Sequence, residues 1–221
     1  MTTGTSTLKL TGDSAGTITA LHADVTTVDA SGMIAGGSVV QTGRSTTDAV
    51  NYTGSNGDDT FIMTNKADVI DAGEQTGDDD TLDINFSAVL GGINVDLSAT
   101  GDQVTTLNGM GESTVQTNFE SVDLAGYSGF GAQVTGGTGA NTITGTGLVD
   151  QIDGGAGADV IRGGAGADAL TGGAGSDTFL FEATSAGNGI DTISDFVAGT
   201  GGDVLNFNDF LGASAAGING T

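Results

Sequence analysis

Apolar residues in this chain fall in short, separated groups, and the polar residues between them are mostly turn formers. Alternating segments end at Leu10, run from Ile18 to Val28, include Val39 and Val40, and recur in INVDL (Ile93 to Leu97) and SVDL (Ser121 to Leu124). Alternation over a few residues, bounded by Gly, Asn, Asp and Ser, predicts short half-buried strands. No helical period of useful length is present, although FNDFLGASAAG near the end predicts a brief amphipathic turn. The chain reads as all-β.

A second, longer period organises the downstream half. From Gly136 to Leu180 the sequence divides without gaps into GGTGANTIT, GTGLVDQID, GGAGADVIR, GGAGADALT and GGAGSDTFL. Glycine dominates places one, two and four, as in Gly154, Gly155 and Gly157, then Gly163, Gly164 and Gly166, then Gly172, Gly173 and Gly175. Place six holds Asn141, Asp150, Asp159, Asp168 and Asp177, and place eight holds Ile143, Ile152, Ile161, Leu170 and Phe179. The phase returns in AGNGIDTIS and AGTGGDVLN, with Asp191 and Asp203 at place six. Upstream, GSNGDDTFI, MTNKADVID and QTGDDDTLD put Asp59, Asp68 and Asp80 there. These boundaries suggest a solenoid-like segment over 1–53, a degenerate repeat segment over 54–135, a regular repeat block over 136–207 and a tail over 208–221.

Each nonapeptide has room for a tight turn over its first six places and a short strand over its last three. Two units close one flattened coil of 18 residues, so place-eight side chains stack into a narrow apolar ladder and turns 18 residues apart lie over one another. That stacking brings carboxylates into register. Two unpaired carboxylates about 4 Å apart repel by roughly 4 kcal/mol at an effective dielectric near 20, against a domain stability of only about 5 to 15 kcal/mol. A divalent cation reverses the sign.

Composition sharpens this picture. The chain has 221 residues, 41 glycines and neither proline, cysteine nor tryptophan, with 28 acidic residues against 4 basic ones and a formal charge of −24. Such a charge repels nucleic acid and anionic lipid and attracts cations. Without cysteine no disulfide can cross-link the fold, and a metal is the natural substitute. Aspartate oxygens and glycine carbonyls, with no imidazole or thiolate, form a hard oxygen shell suited to calcium rather than zinc or copper, and less to magnesium, which demands strict octahedral geometry. A solvated acidic linker is the bland alternative, but regularly spaced Ile, Leu and Phe argue against it. Phe196, Phe207 and Phe210 are expected to plug the end of the coil.

GGAGADVIR and its neighbours resemble the RTX nonapeptide, the unit of calcium-binding parallel β-rolls. DTFLFEATSAGNGIDTISDF followed by GGDVLNF resembles the end of an RTX array, and NFESVDLAGYSGFGAQVTGGTGANTITG resembles its lead-in. The resemblance is strong from Gly136 to about Phe207 and weaker from Gly54 to Asp83. It implies a right-handed parallel β-roll or β-solenoid with calcium ions in the turns between strands. It further implies pairing of Asn141 with Asp159, Asp150 with Asp168, and Asp159 with Asp177, completed by carbonyls of glycines such as Gly154, Gly163 and Gly172. With Phe181 to Ser185 bulged outward, Asp168 would meet Asp191 and Asp177 would meet Asp203. Asn141, and Thr146 and Leu148 in place of glycines, are departures expected to weaken or remove the sites using those turns.

Catalytic readings fare poorly. GDSAG, from Gly12 to Gly16, matches a nucleophile-elbow string without the strand and helix that give it geometry. His22 is the only histidine, which rules out a two-histidine zinc motif. Paired carboxylates need a cleft that separates their pKa values before they can hydrolyse anything. No enzyme activity is expected. No apolar stretch reaches the ~20 residues of a membrane span, and the opening MTTGTSTLKLTGDSAG lacks the features of a secretory signal peptide.

RTX proteins are bacterial and leave by type I secretion, commonly through an uncleaved carboxyl-end signal. Resemblance therefore implies folding outside the cell, where calcium reaches the roughly 10⁻⁴ to 10⁻³ M at which extracellular modules bind. The expected role is a calcium-dependent structural module of the cell surface, of surface-layer or matrix type, that self-associates into a lattice or filament, with a surface glycan as its anchor. The alternatives are the secretion and folding module of a larger enzyme, toxin or adhesin, and an enzyme on a β-helix scaffold.

Overall fold

A computed structural model describes residues 6–13, 15–18, 24–33, 38–40, 50–63, 68–73, 78–85, 91–107, 110–111, 116–181 and 189–207. These residues form a parallel β-solenoid of about 7 turns with no helix, as the repeat period predicts. Among the described residues, no helix is long and apolar enough to cross a membrane. The predicted amphipathic turn beyond Phe207, the tail over 208–221, Phe210 and most of the Phe181 to Ser185 insertion lie outside the described residues.

Strands of two to four residues dominate because each repeat leaves so few places between turns. One face is a nine-stranded sheet that runs from Thr17–Ile18 to Val204–Asn206, crossing Thr60–Met63, Thr81–Ile84, Ser121–Asp123, Thr142–Thr144, Val160–Arg162 and Thr178–Leu180 on the way. The other face is divided between a five-stranded and a seven-stranded sheet. In the repeat block the register is the expected one: Ile143 pairs with Ile161 and Ile161 with Phe179, while Val134 pairs with Ile152 and Ile152 with Leu170.

Alternation places the middle residue of each strand inside. Phe61, Leu82, Val122, Ile143, Ile161 and Phe179 form one buried column and Val95, Val134, Ile152 and Leu170 another, all in one continuous core. The core is thin in the repeat block, one apolar side chain per strand. Upstream it is thickened by aromatics, where Phe61 meets Tyr52 and Phe119 edge-on at centroid distances of 6.0 and 5.9 Å. Phe196 and Phe207 depart from the expected plug, since both remain about two-fifths exposed. Phe207 instead stacks on Phe181, 4.7 Å between centroids.

The parallel pattern is broken at one place among the described residues. Gln116–Thr117 is the last strand of the five-stranded sheet, whereas Ile93–Asp96 begins the parallel part of the seven-stranded one beside Ala132–Thr135. Between them the chain runs back as an antiparallel meander, Val104–Leu107 pairing with both Ile93–Asp96 and Met110–Gly111. Two buried glutamines fasten this change of sheet. Gln103 donates to the Leu97 and Phe119 carbonyls and accepts from the Phe119 N–H, and Gln116 donates to the Asp68 carbonyl. Buried backbone groups without such partners would destabilise the junction.

Candidate metal centre

Place six of each repeat precedes the strand by one residue, so its side chain turns under the coil edge while the place-eight residue enters the core. The place-six carboxylates form ladders. Oδ1 of each accepts a hydrogen bond from the place-six backbone N–H of the preceding coil: Asp159 from Asn141 (2.8 Å), Asp168 from Asp150 (2.9 Å), Asp177 from Asp159 (2.9 Å), Asp191 from Asp168 (3.0 Å) and Asp203 from Asp177 (3.0 Å). The structure thus brings together all five expected pairs, each through a backbone donor. Upstream, Asp80 accepts from the Asp59 N–H at a spacing of 21 residues and Asp68 from Val50 at 18.

The second oxygen has a different fate. Asp159, Asp168 and Asp177 are 1–2% exposed, and their Oδ2 atoms are buried without a hydrogen-bond partner. Each faces the place-one glycine of its own turn. A Cβ on Gly154 would lie 2.7 Å from Asp159 Oδ2 and 2.6 Å from the Gly172 carbonyl oxygen, so the absent side chain leaves an oxygen-lined cradle between coils. The place-two glycines Gly155, Gly164 and Gly173 have φ of +89°, +95° and +96°, a region that favours glycine. Gly157, Gly166 and Gly175 at place four also have positive φ.

The electrostatics of these turns favour an added positive charge. Burial pushes the carboxyls of Asp159 and Asp168 up to about 6; repulsion from Asp177 adds to it at Asp159, and repulsion from Asp150 and then Asp191 adds to it at Asp168. Asp29, half-buried near the amino-terminal end, shows what a cation does to a carboxylate here. The hydrogen bond from Lys9 Nζ, 2.8 Å away, helps hold it down at about 2. With only 4 basic residues in the chain, protein cations cannot serve 28 acids.

Other predicted positions are served differently. Asn141 accepts from the Gly137 N–H and donates Nδ2 to the Glu120 carbonyl. Asp150 accepts from the Thr146 N–H and hydroxyl, and Asp59 accepts from those of Ser55. Asp80 is wholly buried, its Oδ2 is unpartnered, and burial followed by Asp59, Glu120 and Asp78 raises its carboxyl to about 8. Glu120, which sequence reasoning missed, continues the column, since its Oε2 accepts from the Asp80 N–H across 40 residues. The missed signal is its place two residues before buried Val122, the same offset as Asp159 to Ile161.

No group of three or more His, Cys, Asp or Glu side chains among the described residues is placed to hold a metal by itself. A cation at the cradles would therefore need backbone carbonyls, such as those of Gly154, Gly163 and Gly172, beside the unpartnered carboxylate oxygens. That donor set fits calcium, which accepts six to eight oxygens in flexible geometry. Ser14 of the GDSAG string and His22 lie outside the described residues.

Residues 144–179 match the family described as RTX calcium-binding nonapeptide repeat (4 copies). A comparison with curated proteins gave no significant match. The ladder geometry continues past this segment, to Asp203 downstream and to Asp59 upstream. Stacked glycine turns, laddered aspartates and this match together identify residues 144–179 as RTX calcium-binding nonapeptide repeats, carried on a β-solenoid.

Proposed function

We propose that the chain is a calcium-dependent structural module of a secreted bacterial cell-surface protein, which folds when it meets calcium outside the cell and then associates with copies of itself. The observation that carries the reading is the set of buried, unpartnered Oδ2 atoms of Asp159, Asp168 and Asp177. An uncompensated buried carboxylate is costly, so these coils close well only with a cation among them. Calcium supplies positive charge to the stacked turns. The chain's own residues do the rest: glycines clear the cradles, place-six aspartates hold coil to coil through backbone N–H groups, and place-eight side chains fill the core.

Self-association is supported by the last coils, where Ile190, Val197, Val204, Leu205 and Phe207 are exposed apolar side chains on or beside the edge strands Thr192–Ile193 and Val204–Asn206. Edge strands and exposed apolar patches are the usual places for protein contacts. The role in this reading is structural and not catalytic, and a lattice or filament anchored to surface glycan is its extended form.

Circular dichroism of the full chain, titrated with calcium after exhaustive EGTA dialysis, tests folding, and electron microscopy of the same samples tests assembly. The reading expects strand signal and ordered particles to appear together as calcium rises. Unchanged dichroism in EGTA would reject the calcium role, and dispersed monomers at high concentration with calcium would reject assembly.

A further inference from the structure

Five described turns with aspartate at place six fall into two kinds, and the residue at place two separates them. In the turns of Asp159, Asp168 and Asp177, place two is Gly155, Gly164 or Gly173 with positive φ, and Oδ2 has no partner. In the turns of Asp59 and Asp150, place two is Ser55 or Thr146. Neither has positive φ, and both are buried, at 2% and 1% exposure.

The two hydroxyl-bearing turns share one hydrogen-bond pattern. The Thr146 N–H donates to Asp150 Oδ2 (2.7 Å), its hydroxyl lies 2.9 and 3.1 Å from Oδ1 and Oδ2, and the Leu148 N–H donates back to that hydroxyl (3.1 Å). Likewise the Ser55 N–H and hydroxyl reach Asp59 Oδ2 at 2.6 and 2.8 Å, and the Gly57 N–H approaches the Ser55 hydroxyl at 3.4 Å. Two donors thus occupy the side of the carboxylate that is bare in the glycine turns. Around Gly145 the oxygens of a cradle are all present, with Asp150 Oδ2 and the Gly163 carbonyl both against the position of its missing Cβ.

We infer that Ser55 and Thr146 replace a calcium ion in their turns, so that Asp59 and Asp150 bind none, although the Asp150 repeat lies within the RTX match, and that calcium goes instead to the turns of Asp159, Asp168 and Asp177, whose place-two residue is a positive-φ glycine. The physical reason is a choice of donors. A carboxylate oxygen filled by an N–H and an O–H has little to gain from a cation, and the same N–H, pointing into the cradle, repels one. A positive-φ glycine turns its N–H elsewhere: Gly155 donates to Asp153 and Gly173 to Asp195.

This inference rests on the proposed calcium role, and isothermal titration calorimetry with calcium chloride on the full chain separates the two. Asp168→Asn is expected to lose one bound ion per chain and Asp150→Asn to lose none. Thr146→Gly frees the turn to adopt positive φ, and is expected to gain one ion. Thr146→Ser, which keeps both donors, should match the wild type in count. Loss of an ion in Asp150→Asn, or a folded Thr146→Gly with the wild-type count, would overturn the inference. Should Thr146→Gly not fold even in calcium, Asp150→Asn decides the matter, and Ser55→Gly repeats the gain test in a separate coil. A wild type that binds no calcium, or an Asp168→Asn that keeps the full count, would bring down the calcium role itself.

Discussion

At the scale of single residues, the place-six aspartate has two oxygens with separate tasks, and in the turns of Asp159, Asp168 and Asp177 the protein serves only one. Oδ1 ties coil to coil through a backbone N–H, whereas Oδ2 of Asp159, Asp168 and Asp177 is left bare. The acid–base consequence has a definite sign. Burial raises Asp159 and Asp168 to about 6 and Asp80 to about 8, against an unfolded value of about 4. Raised carboxyls stabilise the fold below the unfolded value and lose that contribution as pH climbs through the folded one. In EDTA, folded strand signal should therefore be greatest near about pH 4 and fall away toward about pH 8. Circular dichroism across that interval checks it, and a strand signal that grows with pH would refute it. In calcium the ion competes with protons for the same oxygens, so apparent calcium affinity should increase over the same range.

Among elements, the strands are too short to hold themselves, and each depends on one inward side chain and on its neighbours above and below. Ile161 is fully buried on an interior strand of the nine-stranded sheet. Ile161→Ala should cost about 2 to 5 kcal/mol of stability in calcium, read by urea denaturation, because the thin core has little with which to fill the cavity. The sheet junction makes a different demand. Gln103→Leu removes the partner of the Phe119 N–H and should cost about 1 to 3 kcal/mol through that buried donor. A cost below a few tenths would show that the clip does not hold the junction. Strand existence and place-eight burial were legible in the sequence, since both follow from a local period. Transfer from one sheet to another through an antiparallel meander was not, because Gln103 and Gln116 carry no pattern and their partners, Phe119 and Asp68, lie 16 and 48 residues away.

For the whole molecule, a charge of −24 on a narrow coil opposes compaction unless something neutralises it. Small-angle scattering should show the radius of gyration in EDTA near the unfolded scale of about 50 Å for this length and a contraction toward about 20 Å in calcium, more if the rod is elongated. Raising sodium chloride in EDTA should recover only part of that contraction. Screening weakens repulsion between exposed carboxylates beyond a Debye length of about 10 Å at 0.1 M, but does little for buried ones. A compact particle in EDTA at low salt would contradict the proposed calcium requirement.

By itself the sequence determined the coil period, the all-β class, the apolar ladder and the oxygen-only character of the turns, because each is a consequence of residues within one or two repeats. Tertiary structure decided which carboxylates are already satisfied. Asp150 and Asp159 occupy the same place in consecutive repeats, yet one is filled by Thr146 and the other keeps a bare oxygen. That difference depends on the direction of a place-two N–H, set by the sign of φ, and on how closely the next coil's carbonyl approaches. The nonapeptide pattern records which residues stand in a turn, but which carboxylate oxygens go without a protein donor is decided by the stacked coils.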